Sequence, residues 1–335
     1  YIRPVSFNGN YVFAGTEDGL SISTDGGENF TLTWDSGNGL PANTVGALLV
    51  HNHRLYLEVA GGISVLSADG LTHIADHALG SSTTGSIAAS GDHVFVATDV
   101  GLAVSHDNGN SFVLLTTADG LLSVDCAAVV VLGSRVLVGG SQGLTLLDDF
   151  GAGVVRTMSV ATQGVFNFVS RMSVVRDRVL ALTTSYFAEN GIFTRHHLAT
   201  GIDGGSSFSF TTELSSPGSF AKVFFSNNVL FAGSAGGLNS SGFAVSADLG
   251  RSFTQQLLSD GVLLSGATSG SGIYFGSPNG ILRSTDGGQT FQRSTSGLAG
   301  PQVRVVATGG GKVYASTYTS GGGALGLGVS SDGGE

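Results

Sequence analysis

Residues 284–291 read STDGGQTF, and the same pattern of Ser, Asp, Gly and a closing Phe stands at residues 23–30 (STDGGENF), 105–112 (SHDNGNSF) and 246–253 (SADLGRSF). Weaker copies centre on Asp69, Asp149 and Asp203, and residues 330–335 (SSDGGE) form the start of another. The aspartates of successive copies are 38–54 residues apart. Such a period indicates a repeat fold in which each copy is one supersecondary unit.

Each repeat reads as four short strands. In the first, an apolar stretch at residues 5–7 is followed by the turn NGN, then by YVFAGT at 11–16, LSIS at 20–23 and FTLTW at 30–34. The alternation of apolar and polar residues is typical of half-buried strands. No segment shows the apolar period and caps of a helix. The sequence therefore predicts an all-β fold, a β-propeller of four-stranded antiparallel blades.

The repeat units run approximately over residues 1–40, 41–80, 81–122, 123–163, 164–216, 217–260, 261–300 and 301–335. We expect one propeller domain over residues 1–335, with eight blades, or seven if one degenerate unit forms no sheet. The last blade lacks its outer strand within this chain. The fifth unit has the longest spacing, and we expect its extra residues in a longer hairpin or loop around 186–200.

The box motif has a physical logic. Its aspartate accepts backbone N–H groups of its own turn, its fifth residue needs a positive φ that glycine adopts without strain, and its Phe packs between sheets. We therefore expect a structural role for seven box aspartates: Asp25, Asp69, Asp107, Asp203, Asp248, Asp286 and Asp332.

With these boxes the chain resembles the Asp-box propellers, which carry the bacterial neuraminidase repeat. Residues 39–45 (GLPANTV) are also similar to blade linkers of two-component-regulator-type propellers. In these families the boxes are peripheral hairpins, so the resemblance implies structure and not an active site. Sialidases share the box and begin with an (F/Y)-R-I-P motif, whereas this chain begins Tyr1-Ile2-Arg3-Pro4. The exchange moves the arginine to the other face of a strand, which disfavours sialidase activity.

Composition excludes several partners. Charged residues make up 11% of the chain, the net charge is −10, and the 14 Lys and Arg residues form no basic stripe, so we expect no nucleic-acid partner. The apolar runs are too short to span a membrane, so we expect no membrane insertion. The single cysteine, Cys126, lies in an apolar run and is predicted to be buried.

Few residues qualify as ligand-binding groups. Glu58 stands in a second strand where other repeats have small residues, His51 and His53 share a strand end near His73 and His77, and Trp34 is the one tryptophan. No catalytic residues are identified. We expect no metal and no cofactor, because turn-borne histidines are more often ordinary polar residues than ligands.

The sequence favours a non-enzymatic binding or structural module on the cell surface or outside the cell, which presents a propeller face to a protein or polysaccharide partner. It is expected to be part of a larger chain or assembly. The alternative is a secreted glycoside hydrolase or lyase with its site at the central opening. That enzyme needs two or three carboxylates that converge near the axis.

Overall fold

Strands that follow one another in sequence pair into successive antiparallel sheets. The computed structural model describes residues 2–80, 83–158, 167–175, 178–187, 193–202, 207–210, 220–226, 229–234, 242–246, 254–257 and 263–334. Within these residues the strands form eight sheets, seven with four strands and one with three. The box aspartates Asp203 and Asp248 lie outside the described residues.

The first four sheets contain these strands. Sheet 1 has β1 Ile2–Asn8, β2 Tyr11–Thr16, β3 Leu20–Ser23 and β4 Leu32–Trp34. Sheet 2 has β5 Val45–His51, β6 Arg54–Val59, β7 Gly62–Ser67 and β8 His73–Ala78. Sheet 3 has β9 Thr83–Ser90, β10 His93–Thr98, β11 Gly101–Ser105 and β12 Val113–Leu115. Sheet 4 has β13 Cys126–Leu132, β14 Arg135–Gly140, β15 Gly143–Asp148 and β16 Gly153–Met158.

The remaining four sheets repeat this order. Sheet 5 has β17 Asn167–Val175, β18 Arg178–Phe187, β19 Phe193–Ile202 and β20 Ser207–Phe210. Sheet 6 has β21 Phe220–Ser226, β22 Val229–Ser234, β23 Gly242–Ser246 and β24 Thr254–Leu257. Sheet 7 has β25 Ser265–Ser269, β26 Gly272–Ser277, β27 Gly280–Ser284 and β28 Gln292–Ser294. Sheet 8 has β29 Gln302–Gly309, β30 Lys312–Tyr318 and β31 Ala324–Ser330.

The extra length of the fifth repeat lies in one hairpin, as predicted. β18 and β19 have ten residues each, whereas the second and third strands of the other sheets have four to seven. Within the described ranges the helical content is two 3-10 turns, Thr117–Asp119 and Asp149–Gly151. Among the described residues, no helix has the length and apolar character needed to cross a bilayer.

In sheets 1, 2, 3 and 7 the second and third strands are the most buried, and the fourth strands are the most exposed. β10 is buried at five of its six residues, while β12 is exposed at Val113 and Leu114. Apolar side chains of neighbouring sheets form the core: Phe13 and Ile22 of sheet 1 cluster with Leu55 and Leu57 of sheet 2. Because the second and third strands are apolar on both faces, they bury side chains against the neighbouring sheets.

Contacts divide the chain into two compact units. The amino-terminal unit contains residues 3–25 and 29–210, and the carboxy-terminal unit contains residues 1–2, 26–28 and 211–335. The turn at residues 26–28 therefore packs with sheets of the carboxy-terminal part of the chain. The predicted single domain and the number of blades stay predictions.

Cys126 is buried, as predicted. It lies at the start of β13 with 1% of its surface exposed and has no disulfide partner. Burial raises the pKa of its thiol to about 12, and Asp125 adds to the shift.

Candidate functional site

The box hairpins are closed by their aspartates. Asp107 accepts hydrogen bonds at Oδ1 from the Ser105 hydroxyl (2.7 Å) and the Ser111 N–H (2.9 Å), and at Oδ2 from the Ser111 hydroxyl (2.6 Å). The Gly109 N–H donates to Ser105 Oγ at 2.8 Å. These bonds close the seven-residue segment 105–111 without any strand-ladder bond.

The boxes of Asp286 and Asp25 use the same pattern. Asp286 accepts from the Ser284 hydroxyl and the Thr290 N–H, and Asp25 accepts from the Ser23 hydroxyl and the Asn29 N–H. Asp69 and Asp332 also accept from the serine two residues earlier. The role of all these aspartates is therefore local, within their own turns.

Hydrogen bonding fixes the charge of these carboxylates. Burial acts to raise the pKa of Asp107, but hydrogen bonds from Ser111 and Ser105 outweigh it and place the pKa at about 2. The Thr290 hydroxyl and N–H, with the Ser284 hydroxyl, hold the pKa of Asp286 well below its usual range. A carboxylate bound in this way stays ionised and is unsuited to general acid chemistry.

In the boxes of Asp107 and Asp286, a glycine lies against an aromatic side chain of the preceding sheet. A Cβ added at Gly109 would lie 2.7 Å from Cε1 of Tyr56, and one at Gly288 would lie 2.5 Å from Cε1 of Phe231. In the carboxy-terminal unit, a Cβ added at Gly27 would lie 2.6 Å from Cε1 of Tyr314. Glycine is required here by close contact as well as by its positive φ.

The tyrosines at this position also hydrogen-bond to the box. Tyr56 Oη donates to the Asn108 carbonyl at 3.0 Å, and Tyr314 Oη donates to the Gly26 carbonyl at 2.9 Å. Burial raises the pKa of Tyr56 to about 12; Asp92 and Asp107 also raise it, while Arg54 opposes the shift. The box of Asp107 is thus held by its own aspartate and by an aromatic ring of sheet 2.

Glu58 is a buried carboxylate, with 5% of its surface exposed. It lies on β6 opposite Ile63 of β7. A Cβ at Gly46 would lie 3.0 Å from its Cδ, so the glycine of the first strand makes room for the carboxyl group. No second acidic residue stands on β5, the strand that it faces.

The four histidines of the second repeat do not converge on one point. His51 Nε2 lies 2.8 Å from the Gly91 carbonyl, His73 Nε2 lies 2.9 Å from Asp76 Oδ1, and His77 Nε2 lies 3.0 Å from the Gly109 carbonyl. His53 occupies an exposed turn with φ of 63°. Across the part of the chain that the structure describes, no three His, Cys, Asp or Glu side chains are arranged to hold a metal ion.

Trp34 is half-buried and serves the contact between sheets 1 and 2. Its Nε1–H donates to the Gly70 carbonyl at 2.7 Å, and its ring lies against Gly39, where a Cβ would approach Cζ3 to 2.9 Å. Because the indole N–H is bonded to Gly70, the Trp34 ring serves to pack the two sheets together. Trp34, Glu58, His51 and His53 therefore each have separate neighbours.

An open groove crosses the first strands of three adjacent sheets in the amino-terminal unit. It has a volume of about 380 Å³ and is lined by residues 86–89 of β9, 129–131 of β13 and 172–174 of β17. Every lining side chain is Ser, Ile, Ala, Val or Met. Sequence reasoning did not identify this groove.

Hydroxyl groups hold the first strands of the groove together. Ser86 Oγ accepts from the Val129 N–H at 2.9 Å, which joins β9 to β13. In the carboxy-terminal unit, Ser265 Oγ accepts from the Val306 N–H at 2.8 Å and joins β25 to β29 in the same way. The small polar residues of the first strands thus fix the spacing of neighbouring sheets.

A second cavity of about 260 Å³ lies in the carboxy-terminal unit, between sheet 7 and sheet 8. Its lining includes Ile281, Leu298 and Val313 together with the outer strand β31. Among the described residues, β31 has no further strand on its outer side.

No protein family matches the sequence, and no curated protein does. The structure is similar to the computationally designed Ika8 protein, with a TM-score of 0.71 and 14% identity over 98% of this chain and 95% of that one. It is similar to BamB from Moraxella catarrhalis, with a TM-score of 0.66 and 17% identity over 97% and 95%. It is also similar to YCF48 bound to D1 peptide, with a TM-score of 0.58 and 13% identity over 98% and 96%.

These similarities and the succession of antiparallel sheets confirm the predicted fold class. The chain is an all-β protein with the β-propeller fold.

Proposed function

We propose that the chain is a non-enzymatic binding module that takes a protein partner along the groove of β9, β13 and β17. The observation that carries this proposal is the lining of the groove, which contains no charged side chain. A surface of small apolar and hydroxyl groups binds by shape and backbone hydrogen bonding, which suits an extended peptide segment.

The first strands argue against the enzymatic alternative. In a propeller the blades surround a central channel, and hydrolysis of a glycosidic bond there needs a pair of carboxylates. None of the eight first strands, within their described bounds, contains Asp or Glu. Glu58 on β6 is one buried carboxylate and supplies half of such a pair.

One structural neighbour supports the choice of a peptide. YCF48 is bound to D1 peptide, so a protein of this fold accepts a peptide ligand. A polysaccharide stays the second partner class, because hydroxyl-lined surfaces also bind sugars. The low share of charged residues, 11%, supports a place on the cell surface or outside the cell, and the Asp-box assignment rests on the repeated motif.

The test uses a peptide array and a glycan array with matched variants. Ser173→Arg places a long cation in the groove, and Val113→Arg places the same cation on β12, where Val113 is 62% exposed. We expect the array to yield peptides that the unaltered protein and the Val113→Arg variant bind with equal affinity. The Ser173→Arg variant should bind the same peptides at least about tenfold more weakly, a loss of about 1.4 kcal/mol of binding free energy.

Equal binding by Ser173→Arg and the unaltered protein contradicts the groove as the binding site. Turnover of a glycan on the array, abolished by Glu58→Gln, contradicts the non-enzymatic assignment. Thermal melts of both arginine variants establish that each one is folded.

A further inference from the structure

Two histidines face each other at the end of the β10–β11 hairpin. Val94 pairs with Ser105 in the ladder, so the next residues, His93 and His106, stand directly across from each other. Their Nδ1 atoms are 2.8 Å apart and their rings are nearly perpendicular, at 81°. His93 is half-buried and His106 is exposed, so solvent reaches the pair.

The ring of His93 is held in place by sheet 4. Phe150 stacks on it with ring centroids 4.0 Å apart and planes within 7°. Phe150 itself has a φ of 53°, and its N–H donates to the Ser134 carbonyl at 2.8 Å. A left-handed conformation is costly for a residue with a Cβ, so the backbone maintains this position against strain.

The same cross-strand position has a different pair in sheet 4. There Val136 pairs with Leu147, and the next residues, Arg135 and Asp148, form an ion pair with Nε and Oδ1 3.6 Å apart. The Arg135–Asp148 pair is an attraction between opposite charges. Two imidazoles gain only one N–H···N bond, which requires one nitrogen to be a donor and the other an acceptor.

We propose that His93 and His106 are joint ligands of a late first-row divalent metal ion such as Cu²⁺ or Ni²⁺. Two imidazole nitrogens on one ion, each at about 2.0–2.1 Å, are about 2.8–3.4 Å apart for angles between square and tetrahedral. The Nδ1 separation of 2.8 Å meets this requirement at its lower limit. The ion takes the place of the shared proton, the donor ring takes up a proton from solvent at its Nε2, and both imidazoles bind through Nδ1 as neutral ligands.

The surroundings favour a cation. Asp92 and Asp107 stand next to the two histidines in sequence, and the net charge of the whole chain, −10, favours the approach of positive ions. Because no third protein ligand stands beside the pair in the described residues, water molecules complete the coordination. Imidazole is a ligand type that suits copper and nickel.

The test is titration of the chelator-stripped full chain with Cu²⁺, followed by calorimetry and by electron paramagnetic resonance. We expect one site with a two-nitrogen signature. Loss of a residue that only supports a metal ligand typically lowers metal affinity by about 10–100-fold. Loss of a ligand itself should lower it at least as much, so His106→Ala is expected to lower the Cu²⁺ affinity at least about tenfold. His93→Ala has the same expected effect.

The matched control is His53→Ala, which removes an exposed turn histidine and should leave the affinity unchanged. Because His106 is exposed, its alanine variant is expected to stay folded, and a thermal melt establishes this. Binding of equal affinity by His106→Ala overturns the proposal, and so does the absence of a one-to-one site in the unaltered protein. In either case the pair is only an N–H···N hydrogen bond.

Discussion

Replacement of Gly109 by alanine tests the contact between a box and the ring of the neighbouring sheet. Gly109 has a φ of 78°, and an added Cβ would lie 2.7 Å from Cε1 of Tyr56. The backbone conformation alone costs about 1–2 kcal/mol for a residue with a Cβ. Overpacking against a buried ring costs a further ~1–3 kcal/mol, so Gly109→Ala is expected to destabilise by about 2–5 kcal/mol.

The matched control is Gly133→Ala in the turn between β13 and β14. Gly133 has a φ of 64°, and nothing lies within 4 Å of an added Cβ. The two variants therefore share the conformational cost and the effect of alanine on the unfolded chain. The difference between their losses in unfolding free energy measures the clash alone. We expect Gly133→Ala to lose only about 1–2 kcal/mol.

The assay is urea unfolding followed by the fluorescence of Trp34, the one tryptophan, which lies in the same unit as both glycines. The double variant Tyr56→Ala with Gly109→Ala should lose less stability than the two single variants lose in sum. The difference should be about 0.5–3 kcal/mol, because the clash is removed. Equal losses for the two glycine variants, or additive effects in the double variant, would refute the reasoning.

Three further outcomes are expected. Asp107→Ala should lose about 1 kcal/mol of stability at neutral pH, the usual cost of a lost cap. Because the pKa of Asp107 in the folded unaltered protein is lowered to about 2, the stability difference between the two proteins should shrink in acid unfolding curves as the pH falls below 4. A difference that stays constant with pH would contradict the role of the carboxylate. Tyr56→Phe should lose about 0.5–1.5 kcal/mol in urea melts through its bond to Asn108. Its ultraviolet titration should lack one tyrosine that ionises near pH 12, and an unchanged titration curve would contradict the burial of Tyr56. Cys126, with a pKa of about 12, should react with a disulfide reagent at pH 8 only after unfolding, and fast reaction in the native protein would show that β13 is exposed.

The sheets could be predicted from the sequence because their determinants are local. Period-two alternation marks strands such as Leu20–Ser23, and the box motif supplies its own turn bonds, as Asp107 does with Ser105 and Ser111. The box glycine was expected only for its φ. Its contact with Tyr56 joins residues more than fifty positions apart, which no local pattern indicates.

The groove and the histidine pair required the register of the sheets. Residues 86–89, 129–131 and 172–174 belong to three repeats and have neutral side chains, so only the packing of three separate sheets side by side makes them one surface. His93 and His106 become neighbours only when Val94 is known to face Ser105. His51 and His53 attracted attention as close neighbours in sequence, but their side chains have separate surroundings.

Hydrogen–deuterium exchange tests the central functional claim most directly. The protein is measured alone and with the strongest ligand from the peptide array. Slower exchange of backbone amides at residues 86–89, 129–131 and 172–174 is predicted, because an extended peptide in the groove covers these strands. Protection confined to other residues, with the amides of these three strands unchanged, would contradict the account.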